Sequence, residues 1–337
     1  MKALVIGTGS IGRRHIANLL KLGVEVSAFS YRDTDLPPIP NGSVVRVSSW
    51  QEAIKEDFDF VVVANSTDNH MDVALRAARA GRNLFLEKPV GISLAGVEEL
   101  TELIHNKGLI VEVGYMMRSH PNLVWMREQL AANVIGDILY VRASVGQWLP
   151  DWRPGTDYRT GYGAFRAKGG GVVFDLIHEI DLVCWLFGSV ADVTAMLRHA
   201  PQLEIETESV AQIGLTMDTG ILAQIHLDYV RPLYGRSLEI VGEKGVLSWD
   251  YTQGTVQIDR AAAPRETVHK LPEGFERNIM FLTHMKHLLK RIETPAIPSV
   301  ASYQDGVDSL RVALAAHRAA RERRHIRPLE IDTMWSV

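Results

Sequence analysis

The sequence predicts an α/β protein of two domains: a doubly wound parallel sheet, then an α+β domain built on an open, mainly antiparallel sheet. Three observations predict this class. A short apolar run leads into a glycine motif near the start of the chain, strand and helix patterns alternate to about residue 118, and strand patterns then follow one another. We therefore expect one domain at 1–118 and a second at 119–337.

A glycine motif, GTGSIG at 7–12, lies between an apolar strand pattern and an amphipathic helix pattern. Gly7 lets the chain turn off the strand, Gly9 has no side chain to hold a phosphate away, and Gly12 lets the helix approach the sheet. The helix start offers N–H groups and the positive end of its dipole to phosphates. The motif predicts dinucleotide binding, with a purely structural turn as the alternative. The residues expected to bind the cofactor here are Gly7, Thr8, Gly9, Ser10, Ile11 and Gly12.

The first domain alternates between strands and helices as a Rossmann domain requires. Strands are predicted at 3–6, 24–29, 44–47, 60–64, 84–86 and 109–113, and helices at 11–22, 50–55, 68–80 and 94–106. Continuous apolar strands such as 60–64 suit a parallel sheet that is covered on both faces. Ligands of such sheets bind beyond the carboxyl ends of the strands. The further cofactor-binding residues expected there are Ser30, Tyr31, Arg32, Asn65, Ser66, Thr67, Glu87 and Lys88.

The second domain contains mostly strand patterns. Helices are predicted at 122–132, 172–187, 279–291 and 304–323, and strands at 137–148, 191–197, 209–217, 221–229, 236–241, 246–251 and 255–258. A large sheet with helices on one side leaves its other face uncovered, and a partner subunit commonly buries such a face. We therefore expect a homodimer or homotetramer formed through this C-terminal sheet.

Composition limits the function classes. The 337 residues, 46% hydrophobic and 23% charged, are enough for two domains with a sizeable core. A formal net charge of −4 gives no overall positive field for nucleic acid. The single cysteine, Cys184, excludes an intrachain disulfide and a cysteine-cluster metal site. There is no signal-peptide pattern and no apolar run of about 20 residues, so a cytoplasmic protein without membrane contact is expected.

Two groups of residues suit redox chemistry. Lys88 follows a predicted strand and precedes Pro89, which restrains its backbone, so the lysine could hydrogen-bond a substrate hydroxyl. Asp175 and His178 follow three glycines and are three residues apart, which predicts that they share one helix face. A carboxylate beside an imidazole suits removal of a hydroxyl proton as a hydride leaves. An ordinary loop lysine and a structural Asp–His pair are the alternatives.

Four motifs together resemble the glucose-fructose oxidoreductase / inositol dehydrogenase family of NAD(P)-dependent enzymes over essentially the whole chain. These motifs are GTGSIGRRH at 7–15, EKP at 87–89, GYMMRSHP at 114–121 and GGGVVFDLIHEID at 169–181. The resemblance implies a Rossmann domain, an open-sheet α/β domain, and catalysis by Lys88, Asp175 and His178. In that mechanism His178 acts as acid and base, Lys88 polarises the substrate oxygen and Asp175 orients the pair.

One departure from the family concerns the spacing of the last motif. The family commonly places its aspartate and histidine four residues apart, whereas Asp175 and His178 are three apart, so the role of His178 carries over more firmly. The stretch 158–168 is similar to a subgroup associated with bacterial polysaccharide sugars, so we expect a sugar, sugar derivative or cyclitol as substrate. An arginine, Arg118 or Arg159, could meet a phosphate or carboxylate. The residues expected to hold substrate hydroxyls are Tyr115, Arg118, His120, Trp152 and Tyr162.

The sequence leaves the choice of nicotinamide open. An acidic residue at the end of the second strand normally binds the ribose hydroxyls of NAD, but the sequence there is Phe29-Ser30-Tyr31-Arg32. Serine and arginine suit the 2′-phosphate of NADP better, so NADP is favoured and NAD is not excluded.

Three other functions are compatible with parts of the sequence. His284 and His287 are three residues apart and could share a metal in a hydrolase, although no third ligand with suitable spacing is evident, and we expect no metal. Some relatives with this fold use NAD in a redox cycle that cleaves glycosidic bonds without net oxidation. A non-catalytic cofactor-binding regulator would not need Lys88 and His178.

Overall fold

The computed structural model describes residues 1–30, 44–47, 49–53, 56–261, 263, 266–335 and 337. The chain divides into two compact units: Met1–Ser119 with Glu276–Val307, and His120–Phe275 with Asp308–Val337. The sequence-based boundaries leave residues 276–307 in the second domain, whereas the structure groups them with the first unit.

The helices and strands are numbered here in chain order. The strands are β1 (Lys2–Ile6), β2 (Glu25–Phe29), β3 (Val45–Arg46), β4 (Phe60–Val63), β5 (Asn83–Leu86), β6 (Val111–Val113), β7 (Ile138–Gly146), β8 (Val190–Arg198), β9 (Val210–Met217), β10 (Leu222–Asp228), β11 (Gly235–Gly242), β12 (Gly245–Asp250), β13 (Thr255–Asp259) and β14 (Glu266–Lys270). The α-helices are α1 (Ser10–Lys21), α2 (Trp50–Ala53), α3 (His70–Arg79), α4 (Val97–Lys107), α5 (Pro121–Ala131), α6 (Val172–Asp175), α7 (His178–Phe187), α8 (Arg277–Glu293) and α9 (Tyr303–Glu322).

The sheet of the first unit is parallel, with the described strands in the order β3-β2-β1-β4-β5-β6. Every residue of β4 is buried, as its uninterrupted run of Phe60 and three valines predicts for a strand covered on both faces. The strand order reverses between β1 and β4, and in doubly wound sheets the ligand crevice opens at that point. The predicted Rossmann architecture is confirmed.

The segment 276–307 joins the first unit through α8. Met285 and Leu288 of that helix pack in the same core cluster as β1 and β4. The carboxylate of the fully buried Glu112 of β6 lies 3.2 Å from His284 Nε2 and accepts a hydrogen bond from Arg291 Nη1 at 2.7 Å. Its charge is therefore paired inside the protein. Such a long-range polar network has no periodicity along the chain, which is why the sequence patterns did not assign α8 to this unit.

The sheet of the second unit has the described strands in the order β14-β13-β12-β11-β7-β10-β9-β8. The pair β7 and β10 is parallel and the other neighbouring pairs are antiparallel, so the prediction of a mainly antiparallel sheet is confirmed. β14 was not predicted, because its sequence ETVHK lacks the alternation of apolar and polar residues that marks the other strands.

One face of this sheet is buried and the other is open. In β9 the side chains alternate between half-buried and buried along Val210–Met217, as a sheet covered on one face requires. On the outward face Leu222 of β10 is 57% exposed and Met196 of β8 is 72% exposed.

Among the described residues, no helix combines the length and apolar composition needed to cross a bilayer.

Candidate functional site

In the first unit, the glycine turn connects β1 to α1. Gly7 has a φ of +102°, and a side chain there would place its Cβ 2.5 Å from the carbonyl oxygen of Ala64. A Cβ on Gly12 would lie 1.9 Å from the carbonyl oxygen of Gly7. A Cβ on Gly9, in contrast, would have no described atom within 4 Å. Two glycines are therefore required by packing, and the middle one leaves open space where a ligand can approach the backbone.

The surroundings of this turn fit a dinucleotide. Gly9 caps α1 without a side-chain hydrogen bond, so the first N–H groups of the helix remain available to phosphates. Asn65 follows β4, the neighbour of β1, and both polar atoms of its buried carboxamide have no partner among the described residues. Buried polar atoms without partners are unusual in proteins unless a water or ligand satisfies them. Of the other predicted cofactor residues, Ser66 and the buried Thr67 continue this loop.

The predicted ribose site at the end of β2 is only partly described. Ser30 directly follows β2 and is half-buried. Tyr31 and Arg32 lie outside the described residues, so the preference for NADP that was drawn from them stays a prediction.

The loop after β5 carries Glu87 and Lys88, and the side chain of Glu87 is hydrogen-bonded to His15. His15 Nε2 lies 2.7 Å from Glu87 Oε1, and both side chains are buried. Burial raises the pKa of Glu87, but the hydrogen bond and charge of His15, with Lys88 nearby, outweigh it and leave that pKa below its ordinary value. The backbone N–H of Lys88 donates to Glu87 Oε2 at 3.3 Å, so the ionised carboxylate orders the start of the lysine loop.

His70 also lies in this part of the first unit, and sequence reasoning missed it. Its Nδ1 lies 2.7 Å from the carbonyl oxygen of Pro89 and its Nε2 lies 3.2 Å from that of Asn65. Burial lowers the pKa of His70, so the ring is neutral and donates to one carbonyl at a time. The histidine connects the lysine loop to the Asn65 loop. A single histidine at a helix start gives no sequence signal for this role.

Tyr115 and Arg118, predicted to hold substrate, also belong to the first unit. Tyr115 is fully buried. The Arg118 guanidinium donates to Asp305 Oδ1 at 3.2 Å and to the carbonyl oxygen of Val300 at 3.1 Å. These bonds give Arg118 a structural role within the unit, and its contact with substrate stays a prediction.

In the second unit a pocket brings together three of the predicted residues. Asp175 Oδ1 accepts a hydrogen bond from Tyr162 Oη at 2.6 Å, and Asp175 Oδ2 accepts one from Tyr229 Oη at 2.7 Å. The Trp152 ring stands edge-on to Tyr229 with centroids 5.2 Å apart, and its buried Nε1 has no partner among the described residues. The residues that line the pocket are Leu149, Trp152, Arg153, Thr156, Asp157, Tyr158, Gly161, Tyr162, Gly163 and Asp175.

Two residues near this pocket were missed by sequence reasoning, Tyr229 and Arg153. Tyr229 directly follows β10 and is distant in sequence from Asp175, and only the strand order brings the two together. The Arg153 guanidinium lies 5.8 Å from the centre of the Tyr162 ring. Arg159, considered for an anionic group, is instead paired with Asp157 at 3.0 Å and Glu204 at 2.6 Å.

The expectation that Asp175 and His178 share one helix is wrong. Asp175 is the last residue of α6, and His178 is the first residue of α7. The N–H of Ile177 bonds to the carbonyl of Phe174, three residues back, and this tighter turn interrupts the continuous helix predicted at 172–187. His178 is buried, and the structure does not define one helix face common to it and Asp175.

His120, also predicted to hold substrate, lies among aromatic rings of the second unit. Its ring centroid is 5.2 Å from that of Trp249, 5.6 Å from that of Tyr251 and 5.4 Å from that of Phe275. Burial, with smaller contributions from Arg236 and His269, lowers the pKa of His120 to about 3, so its ring is neutral. A role in binding substrate stays a prediction.

The two histidines considered for a metal have other partners. His284 Nε2 bonds Glu112 at 3.2 Å, and His287 Nε2 lies 2.7 Å from the carbonyl oxygen of Pro298. No group of three or more metal-ligating side chains occurs in the part of the chain that the structure describes.

Comparisons with known proteins match both units to one family. Residues 1–115 match a family model described as "Oxidoreductase family, NAD-binding Rossmann fold". Residues 123–248 match a model described as "GFO/IDH/MocA C-terminal domain". The two models together cover well over half of the chain.

Individual relatives are distant but extend over long stretches. The chain is 24% identical over 349 residues to the myo-inositol 2-dehydrogenase of Thermotoga maritima, which covers 98% of this chain and 99% of that protein. An uncharacterized oxidoreductase of Streptococcus pneumoniae is 27% identical over 195 residues, which covers 57% of this chain and only 52% of that protein. A solved structure of levoglucosan dehydrogenase in complex with NADH has a TM-score of 0.86 at 17% identity, covering 99% of this chain and 100% of that one, and so shares the fold.

Proposed function

Because this chain belongs to the GFO/IDH/MocA oxidoreductase family, we propose that it transfers a hydride between a nicotinamide and a carbinol or carbonyl carbon of a sugar, sugar derivative or cyclitol. The glycine turn and the unpartnered Asn65 carboxamide support the nicotinamide coenzyme. The named relatives include a myo-inositol 2-dehydrogenase and a levoglucosan dehydrogenase, which supports a polyhydroxylated substrate.

One observation carries the substrate class: Asp175 in the pocket of the second unit. Its carboxylate accepts from two tyrosine hydroxyls, and an ionised carboxylate has acceptor sites for further hydroxyl donors. Trp152 adds an aromatic surface and an N–H donor that has no partner among the described residues. A pocket that combines a carboxylate, hydroxyls and aromatic rings suits a ligand whose hydroxyls point outward from an apolar ring.

The residue roles follow the family resemblance. When bound, the nicotinamide accepts or supplies the hydride. The His178 imidazole takes the hydroxyl proton during oxidation and returns it during reduction, because an imidazole can act both as a base and, once protonated, as an acid. The Lys88 ammonium donates a hydrogen bond to the substrate oxygen and stabilises negative charge that develops there. Asp175 orients this pair, as the resemblance implies, and its carboxylate can also accept a hydrogen bond from a neighbouring substrate hydroxyl.

The test is a panel of cyclitols, sugars, anhydro sugars and sugar nucleotides, each with NAD and NADP, followed by absorbance of the reduced nicotinamide. His178→Ala is expected to lower kcat by about 10² to 10⁴, the usual contribution of a general acid or base. His325→Ala, which replaces an exposed histidine of the second unit, is the matched control and is expected to keep full activity. Full activity in His178→Ala would remove this histidine from the mechanism.

The same panel separates the alternative reactions. A glycosidase of this fold would release a sugar from a glycoside without a net change in nicotinamide absorbance. A non-catalytic regulator would bind coenzyme without turnover of any compound. Net formation of reduced nicotinamide with a free sugar or cyclitol is expected, and its absence throughout the panel would contradict the proposed oxidoreductase activity.

The preference for NADP over NAD rests on Ser30 and Arg32. Arg32→Ala is expected to raise the KM for NADP by about tenfold or more, because a charge-assisted hydrogen bond contributes about 1.5–3 kcal/mol, and to leave the KM for NAD unchanged. Arg46→Ala, at the neighbouring edge strand β3, is the control. An unchanged KM for NADP in Arg32→Ala would overturn the preference.

We propose further that the outward face of the C-terminal sheet forms a homodimer or homotetramer. Leu222 and Tyr140 are paired neighbours on this face, and Met196 lies on the same face two strands away. Leu222→Glu is expected to shift the sedimentation coefficient to that of a monomer, since a charge there would be buried without a partner. A monomeric parent protein would contradict the proposal.

The predicted cytoplasmic location remains a prediction.

A further inference from the structure

Glu208 of the second unit lies beneath the helix that carries Asp175. Its Oε1 accepts a hydrogen bond from the backbone N–H of Val173 at 3.2 Å, and its carbonyl oxygen accepts one from the N–H of Val172 at 3.1 Å. Val172 and Val173 form the first turn of α6, which ends at Asp175. One residue therefore satisfies two N–H groups at the start of this short helix, and the helix has only one turn through which to place Asp175.

Glu208 also packs directly against the glycine-rich turn. Gly171 has a φ of +109°, and a Cβ there would lie 2.2 Å from Glu208 Oε1. The residue before Glu208 also contacts a glycine loop, because Thr207 Oγ1 donates a hydrogen bond to the carbonyl oxygen of Gly163 at 3.0 Å. Gly163 and Asp175 both line the pocket, so the segment that contains Glu208 supports two parts of the pocket wall. None of these contacts is local in sequence.

The carboxyl of Glu208 is buried among groups of both signs. Its pKa is raised to about 7, chiefly by burial and to a smaller extent by the charge of Asp175, while its own backbone N–H, the N–H of Val173 and the guanidinium of Arg166 act in the opposite direction. His317 Nε2, on α9, lies 3.7 Å from Glu208 Oε1. Burial, together with Arg166 and Arg321, lowers the pKa of His317 to about 3, so its ring is neutral. The pKa of Tyr229, whose hydroxyl donates to Asp175, is raised mainly by burial, and the charge of Glu208 also contributes to this rise.

We propose, building on the function proposed above, that Glu208 is a positioning residue for the reaction. It holds Asp175 in place through the first turn of α6, and its state of protonation sets how strongly Asp175 is repelled from behind. The carboxylate form places a second negative charge against the short helix that carries Asp175, and the neutral form removes that repulsion. Glu208 does not itself line the pocket, so its effect on substrate passes through Asp175.

The kinetic test compares Glu208→Ala, Glu208→Gln and the control Glu206→Gln, an exposed glutamate two residues away. Glu208→Ala is expected to lower kcat by about tenfold or more, because a small misplacement of a positioned group is costly, with the KM for coenzyme unchanged. Glu208→Gln keeps an acceptor for the Val173 N–H and is expected to restore most of kcat. The ratio of its kcat to that of the parent should change as pH crosses about 7, whereas the ratio for Glu206→Gln stays constant.

This ratio distinguishes positioning from a merely structural role, because a pH effect that does not depend on residue 208 occurs in both proteins and cancels. A flat ratio for Glu208→Gln would overturn the proposal, even if Glu208→Ala fails to fold. Equal kcat values for Glu208→Ala and the parent would overturn it as well.

A second readout does not need turnover. In protein labelled with ¹³C at the glutamate carboxyl carbons, one resonance is expected to titrate near pH 7 and to be absent from Glu208→Gln but present in Glu206→Gln. Amide exchange at Val173 should be about fivefold faster in Glu208→Ala than in the parent, because a hydrogen bond contributes about 1 kcal/mol. If no panel compound is turned over, the proposed oxidoreductase function fails, and these two measurements still decide whether Glu208 holds the turn. Parent-like exchange with no such resonance would refute that.

Discussion

Each unit of the protein buries a glutamate beside a histidine, and the two pairs behave in opposite ways. In the first unit Glu87 is 6% exposed and its Oε1 lies 2.7 Å from His15 Nε2. In the second unit Glu208 is 8% exposed and its Oε1 lies 3.7 Å from His317 Nε2. The pKa of Glu87 lies below its ordinary value, while burial raises the pKa of Glu208 to about 7. Burial is nearly equal, so the difference comes from the neighbours: the hydrogen bond and charge of His15 and the charge of Lys88 lower the pKa of Glu87, whereas Asp175 adds to the rise at Glu208.

The difference suits the places that the two glutamates occupy. Glu87 is charged at neutral pH and orders the start of the loop that carries Lys88. Glu208 lies behind Asp175 and can gain or lose its proton near neutral pH.

The largest expected effect is on the stability of the first unit. Glu87→Ala removes one partner of a buried pair and is expected to lower the free energy of unfolding by about 3–5 kcal/mol. Glu99→Ala is the matched control, because its 2.6 Å pair with Arg79 is exposed and should contribute less than about 1 kcal/mol. Urea denaturation of the three proteins at neutral pH measures both values. Similar losses in the two variants would show that the buried pair has no special contribution.

The next effect is a pH dependence of opposite sign in the two units. The pKa of Glu87 is lowered by folding, so its contribution to stability is full above about pH 4.5, its unfolded value, and is lost as pH falls through the folded pKa. The pKa of Glu208 is raised by folding from 4.5 to about 7, so its contribution is full below about pH 4.5 and is lost as pH rises through 7. That loss amounts to about 3 kcal/mol.

Denaturation at several pH values tests this comparison. The stability deficit of Glu87→Ala should shrink as pH falls below about 4.5, because the parent then loses the charge that the variant lacks. Glu208→Gln should gain on the parent as pH rises from about 4.5 to above 7, since it cannot ionise. The lowered pKa of His317 makes stability rise with pH, which is the opposite of the effect of Glu208. His317 is present both in Glu208→Gln and in the parent, so its effect cancels in that comparison. Parallel stability curves for Glu208→Gln and its parent would contradict the raised pKa of Glu208.

The sequence predicted what depends on local pattern. The glycine turn at 7–12 and the buried strand β4 are recognisable because steric demands and burial on both faces restrict the residues allowed at those positions. The break between α6 and α7 was not predicted, since the residues at 172–187 are nearly all compatible with one apolar helix. The membership of α8 in the first unit rests on Glu112 and its partners from distant parts of the chain.

The candidate site was predictable to a similar extent. Asp175, Tyr162 and Trp152 were named from motifs, and the structure brings them to one pocket of the second unit. Glu208 and Tyr229 were missed, because each acts on the helix of Asp175 from a different strand region and belongs to no motif. Their sequence signal is that of an ordinary residue next to a strand. Only the pairing of β9 and β10 shows that they approach the same helix.

The smallest expected effect extends the comparison to a third carboxylate, Asp175, which accepts hydrogen bonds from two neutral tyrosine hydroxyls. Tyr229→Phe removes the bond from the fully buried hydroxyl and leaves the ring in place. Because one neutral hydrogen bond contributes about 0.5–1.5 kcal/mol, kcat/KM should fall by about twofold to tenfold, well below the effect of removing a buried charge partner. Tyr140→Phe, on the outward face of the sheet, is the control and should match the parent. A fall in kcat/KM of about a thousandfold, which corresponds to about 4 kcal/mol, would mean that a neutral donor holds this carboxylate as tightly as a charged partner does, and the distinction between the two units would disappear.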